Sequence, residues 1–341
     1  MIMVPILALG VREYEPDRLK SGAIGGRDRS QRRSISLVHI LAGACVAGVS
    51  GMASSAMAAE PGAMNWGPGA PGTYFGALPP VPGIFLLNKT GYLTASEYNG
   101  PDGNRDPLFD LDQKAAVSVS RIMGVWPVDL DGWRFATQVV IPYAYNNTDF
   151  DNIPVSGEVD GFGNLGAVQI ANYTFGHFHN IGGAIGYAAH TSSYKTSRQI
   201  NVQNGYSTAD VSVHYNYFDP TGLDFGVMAG YHRNNRNEDT DYLSGDLFAT
   251  DFKLTYAVTD KLKIGGYGGF LVQIEDDKIG STTIANRRFR GLNLGPTVMY
   301  DLGHSTVSLS YQFSVLAENA PKANAVWLSL STPLYVPKPK I

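Results

Sequence analysis

The sequence predicts an all-β chain, a transmembrane antiparallel up-and-down β-barrel of about twelve strands behind a removable leader. Three observations predict it. Beyond one N-terminal apolar run there is no second stretch long and apolar enough for a spanning helix. Short segments alternate apolar and polar residues with period two. The connections between these segments alternate between long and short, as they do in outer-membrane barrels.

The composition agrees. Hydrophobic residues make up 44% of the 341 positions but are spread out rather than clustered. A net charge of −4 argues against a general nucleic-acid-binding protein. Glycine and tyrosine are both frequent, with 39 and 19 copies; glycine relieves crowding in curved strands, and tyrosine suits a membrane interface.

Residues 1–58 read as an N-terminal extension plus signal peptide, the leader proper lying at 27–58. Arg27, Arg29, Arg32 and Arg33 form its basic flank, 35–49 its apolar run, and Ala56-Met57-Ala58 a small-x-small cleavage site. The single cysteine, Cys45, falls inside the leader, so a mature chain has no thiol and no disulfide. Residues 59–82 are rich in Pro, Gly and Ala without periodicity and read as a periplasmic segment or partial plug.

The barrel is expected over 83–332. Its strands are predicted at 83–97, 113–126, 133–145, 163–175, 179–189, 205–218, 223–234, 245–258, 261–275, 289–300, 305–317 and 324–332. Three of them show their two faces plainly. Phe248, Phe252, Leu254, Tyr256 and Val258 oppose Asp251, Lys253 and Thr255. Val307, Leu309, Tyr311, Phe313 and Val315 oppose Ser308, Ser310, Gln312 and Ser314. Val211, Val213, Tyr215 and Tyr217 oppose Asp210, Ser212, His214 and Asn216. The apolar sets are expected to meet lipid and the polar sets the lumen. A water-soluble sandwich would alternate too, with its apolar face inward; the leader and the loop rhythm favour the barrel. Residues 333–341 are left as a C-terminal tail.

Long polar connections fall at 99–112, 146–162, 190–204, 235–244 and 276–288, and short ones at 127–132, 176–178, 219–222, 259–260 and 301–304. Long loops outside and short turns in the periplasm, with an even strand count, place both termini in the periplasm.

Catalytic and metal chemistry finds little support. His190-Thr191-Ser192 resembles the His-x-Ser pair of outer-membrane phospholipases, but its parity leans inward or into a loop, away from the lipid such an enzyme would cleave. His177 and His179 lack a third ligand at recognisable spacing. Asp102, Asn104 and Asp106 imitate the start of a calcium loop, yet Pro107 replaces its glycine and Gln113 its bidentate glutamate. Gly265 to Gly269 sit inside a strand with no helix following, so they are not a phosphate loop. No catalytic residue, metal or cofactor is expected.

The lumen is the remaining candidate. Asp210, His214, Asn216, Asp251, Lys253, Asn293, Thr297 and Gln312 lie on faces predicted to point inward, where they would set pore width, hydration and charge preference.

From Val81 to about Pro333 the chain resembles the outer-membrane transporter family named for the meta-cleavage pathway of phenol degradation. The resemblance rests on Pro82-Gly83-Ile84-Phe85-Leu86-Leu87-Asn88; on Gly161-Phe162-Gly163-Asn164-Leu165, where Asn164 replaces the family's acid; and on Asn237-Glu238-Asp239-Thr240-Asp241-Tyr242-Leu243-Ser244-Gly245-Asp246. Gln273 to Asp277 and Leu294 to Val298 follow in the expected order. Thr240, Asp241, Tyr242, Ser244, Gly245, Asp246 and Asp277 form the family-motif loop, read as structural ahead of ligand-binding. The resemblance implies uptake of aromatic or other hydrophobic compounds across a Gram-negative outer membrane. The partners would be outer-membrane lipid and lipopolysaccharide, a small solute, and the barrel-assembly machinery. A non-conducting structural or adhesive barrel is the alternative, and a lipid hydrolase the third.

Overall fold

The computed structural model describes Phe75 and residues 77–338 other than 129; the leader, most of 59–82 and the last three residues lie outside the described residues. Sixteen strands follow one another: β1 (Gly83–Asn99), β2 (Leu111–Val125), β3 (Trp133–Phe150), β4 (Val155–Phe162), β5 (Gly166–Phe175), β6 (His179–Ala188), β7 (Thr208–Phe218), β8 (Leu223–Asn234), β9 (Tyr242–Leu243), β10 (Leu247–Ala257), β11 (Leu262–Gln273), β12 (Asp277–Ile279), β13 (Thr282–Ile284), β14 (Arg290–Asp301), β15 (Thr306–Glu318) and β16 (Ala320–Tyr335). Twelve of them make the wall. Each pairs antiparallel with its neighbours, and β1 pairs with both β2 and β16, closing the ring so that no edge is left unpaired. These are the twelve predicted strands, with ends shifted by a few residues. Across the described residues no helix is long and apolar enough to cross a membrane; the strands do the crossing.

The faces of β7, β10 and β15 match the sequence pattern. Val213, Tyr256 and Leu309 are exposed, whereas Ser212, His214, Asn216, Asp251, Lys253, Thr255, Ser308, Ser310 and Gln312 are buried inside. Near the short turns the outward rings touch one another in a belt: Trp126 with Phe135, Phe135 with Trp133, Trp133 with Tyr173, Tyr173 with Phe175, Phe175 with His179, and His179 with Tyr215, at centroid spacings of 5.1–6.2 Å. Such a girdle marks a membrane–water interface. It also accounts for His179, whose ring Nδ1 hydrogen-bonds the Tyr215 hydroxyl at 2.9 Å.

The simple polarity rule fails on β1 and β2. Their inward faces carry Phe85, Leu87, Leu93, Val117, Val119 and Met123, all buried. Their outward faces carry Asn88, Thr90, Ser118 and Ser120, which satisfy one another: Asn88 Nδ2 donates to Ser118 and Ser120 at 3.1 and 3.0 Å, and Thr90 bonds Ser118 at 2.9 Å. Polar groups facing lipid are tolerable when their hydrogen bonds close locally.

Above the wall, the predicted 146–162 loop is partly strand. β3 runs on to Phe150 and returns as β4, with Tyr143 opposite Phe162 and Phe150 opposite Val155. The 235–244 and 276–288 loops are joined by a second small sheet in the order β13-β12-β9. At the other end β16 continues through Pro333 to Tyr335, three residues past the predicted end, because Phe85 and Ile84 of β1 extend far enough to pair with it.

Candidate functional site: the barrel lumen

The eight residues predicted to line the pore lie on four strands, on the faces turned to the barrel interior. On β7, His214 Nε2 pairs with Asn172 Oδ1 at 3.1 Å, Asn216 is buried, and the Asp210 carboxylate lies over Gly186. On β10, Lys253 forms a 2.9 Å ion pair with Asp224 and lies near Asp251. On β14, Asn293 accepts from Ser314 at 2.9 Å, and the Thr297 hydroxyl meets that of Ser310 at 2.7 Å. Gln312, on β15, is almost fully buried.

Sequence reasoning missed several groups that meet inside the barrel. Asp224 on β8 is shared by two lysines, Lys253 and, at 3.7 Å, Lys263. The Lys263 ammonium also sits 3.8 Å from the centre of the Phe218 ring. Lys89 projects from β1 over the Trp327 ring at 4.3 Å and reaches to 5.2 Å from the Tyr267 ring, four strands around the wall. Phe75, ahead of the first strand, is fully buried inside the barrel. Its ring stands 6.1 Å from that of Tyr267 and 5.9 Å from the Lys253 ammonium. The Arg134 guanidinium donates to the Pro80 carbonyl at 3.3 Å and ties this entering segment to β3.

Lys89 was hard to find because it shares parity with Phe85 and Leu87, which look lipid-facing in sequence. The interior is in fact two-sided. β1, β2, β3 and β5 present Phe85, Val117, Val119, Val140, Val168 and Ile170, and β7, β8, β10, β14 and β15 present the polar set. Lys89, Arg121, Gln138 and Asn172 are buried polar groups on this same apolar side, and neither amide atom of Gln138 has a hydrogen-bond partner among the described residues.

The side chains of the family-motif loop are engaged in contacts within the fold. Asp277 accepts from the Tyr242 hydroxyl, from the Gly245 N–H at 2.9 Å and from Gln273 Nε2 at 2.7 Å. Asp246 accepts from the Tyr231 hydroxyl and, at 3.2 Å, from the Asn234 N–H. Arg236 grips Asp241 at 2.9 Å, and Asp241 itself adopts a left-handed φ of 57°. Ser244 is buried, and Thr240 lies in the same turn. A Cβ at Gly245 would come within 2.0 Å of the Glu275 carbonyl oxygen, so this close approach of two loops requires glycine. Burial, then the Asp277 carboxylate, raises the Tyr242 pKa above the ordinary tyrosine value.

Asn164 shows why an amide stands where the family's acid was expected. Its Oδ1 accepts from the N–H groups of Thr191 and Ser192 at 3.0 and 3.1 Å, and its Nδ2 donates to the carbonyls of Tyr206 and Asn204 at 3.0 and 3.4 Å. A carboxylate could make the first pair but not the second. Thr191 and Ser192 therefore serve loop packing. The calcium-like triplet is likewise engaged in turns, Asp102 accepting from Asn104 and Asp106 from the Leu108 N–H. Among the described residues no group of three His, Cys, Asp or Glu side chains could hold a metal ion.

Residues 95–330, more than half of the chain, match a family described as "Putative MetA-pathway of phenol degradation". The chain belongs to this family. Its fold is similar to that of a solved outer-membrane channel from Pseudomonas putida F1, at 16% identity and a TM-score of 0.68, covering 77% of this chain and 98% of that one. Weaker likenesses are to the porin NanC, at 10% identity, TM-score 0.42 and coverage of 73% and 100%, and to the β domain of the Bordetella autotransporter BrkA, at 12%, 0.45, and 74% and 100%. No curated protein matches the sequence. A closed twelve-stranded barrel of this kind, with an apolar outer band and an aromatic girdle, belongs in the outer membrane of a Gram-negative cell.

Proposed function

We propose that the protein is an outer-membrane channel that passively admits small hydrophobic or aromatic compounds. The observation that carries this reading is the cluster inside the barrel, where the rings of Phe75, Tyr267 and Trp327 meet the ammonium groups of Lys89 and Lys253. A track with one apolar wall and a few placed polar groups suits a small, largely apolar solute. Family membership, with its link to phenol degradation, supports the same class. Movement would follow the solute's own gradient.

In this reading Asp210, His214, Asn216, Asp251, Lys253, Asn293, Thr297 and Gln312 line the path, residues 59–82 form a partial plug led by Phe75, and both termini are periplasmic. The outward aromatic belt would contact lipid and lipopolysaccharide, and Tyr335 would give the barrel-assembly machinery an aromatic strand end. The test is conductance of the mature protein in planar bilayers, with and without phenol, beside phenol flux into proteoliposomes. Current steps that phenol blocks, or phenol flux above empty vesicles, support the channel. A folded, heat-modifiable barrel showing neither leaves the structural or adhesive alternative standing.

A further inference from the structure

The wall beside this cluster holds two buried hydrogen-bond donors with no partner among the described residues. One is the Trp327 indole Nε1 and the other is Gln312 Nε2. Trp327 and Gln312 are 4% and 2% exposed, so bulk water does not serve them. They project from the inner faces of adjacent strands. Trp327 stands opposite Ser310, and Gln312 lies two residues further along β15, opposite Ala325. A buried donor left without an acceptor is costly to keep, so each orphan calls for a partner.

Three features say what would satisfy them. Both orphans are donors, so the missing partner is an acceptor. The Lys89 ammonium lies on the face of the Trp327 ring at 4.3 Å; a cation there withdraws ring density, sharpens the N–H as a donor, and adds positive charge beside the site. Arg121 and Asp251 both lie within electrostatic range of Lys89, so that with Lys89 itself the cluster holds two cations and one anion. The Tyr267 ring, 5.2 Å from the same ammonium, adds a second aromatic face beside Lys89.

We infer that Trp327 Nε1 and Gln312 Nε2, with Lys89 behind them, form a subsite for the anionic oxygen of a small aromatic carboxylate, whose ring rests by Tyr267. This rests on the uptake reading above and narrows it. The lumen would prefer oxygenated, anionic aromatics to the bare hydrocarbon.

The test uses the full mature protein in detergent, with benzoate and toluene as probes and binding read by titration calorimetry. Trp327→Phe keeps a ring over Gly91 and removes only the donor; Gln312→Leu removes the other. SDS-resistant, heat-modifiable migration checks that each variant has folded. Each substitution is expected to weaken benzoate binding about tenfold or more, as for a hydrogen bond to a charged group, and to weaken toluene, which accepts no such bond, much less. Two folded variants that both bind benzoate like the parent would overturn the subsite while leaving uptake intact. So would a parent that binds toluene as tightly as benzoate. A parent that binds neither probe overturns the subsite and the uptake reading together.

Discussion

The Trp327 indole lies flat against Gly91, its partner on the neighbouring strand, so closely that a Cβ at residue 91 would stand 2.2 Å from the ring. A bare backbone at this position of β1 is what lets the ring lie over that strand, beside Lys89 two residues away. Gly91→Ala should therefore destabilise the barrel by about 1–3 kcal/mol through overpacking. In lipid-vesicle urea unfolding, the same change made on a Trp327→Ala background should cost far less. Equal costs on both backgrounds would deny the contact its role.

Asp224 is the counter-ion to two buried lysines, Lys253 and Lys263. Replacing it with alanine leaves two like charges in the lumen. We expect a loss of about 3–5 kcal/mol, seen as a lower temperature for loss of the SDS-resistant form. Asp224→Ala combined with Lys253→Met should recover part of it. No change in heat modifiability on Asp224→Ala would show that the lysines shed their charge or find other partners.

Asn164→Asp turns a donating amide toward the Tyr206 and Asn204 carbonyls into an acceptor facing acceptors. The cost should be about 1–3 kcal/mol and confined to the 190–206 loop. External protease should then cut that loop faster while the membrane core stays intact. Unchanged loop cleavage would contradict the role assigned to the amide.

Tyr242 predicts an alkaline release of the outer loop sheet. Its pKa is raised in the fold, so its contribution is complete below the ordinary tyrosine pKa of about 10 and is lost as pH climbs through the higher folded value. Spectrophotometric titration should show Tyr242 within a late-ionising set of tyrosines, and that set should be one smaller in Tyr242→Phe. Ionisation of Tyr242 alongside the ordinary tyrosines would remove the basis for the lock.

Phe75→Ala should widen the lumen, since the ring stands between Tyr267 and Lys253. Single-channel conductance should rise, with the barrel's heat stability little changed. An identical current would place the limiting constriction elsewhere.

Strand number, strand order and the long-short rhythm of loops were legible in the chain because period-two alternation and turn residues are local signals. So was the inward set on β7, β10 and β15, where lipid demanded apolar partners for polar lumen groups. β1 and β2 could not be read this way: their lumen face is apolar, and their outer polar groups bond one another, so hydropathy points in the wrong direction for Lys89 and Arg121. The meeting of Asp224 with Lys253 and Lys263, of Lys89 with Trp327 and Tyr267, and of Asn164 with the 190–206 loop joins residues far apart in the chain. No local pattern encodes those pairings; closing the barrel sets strand register and tilt, and these decide which distant side chains share one depth in the lumen.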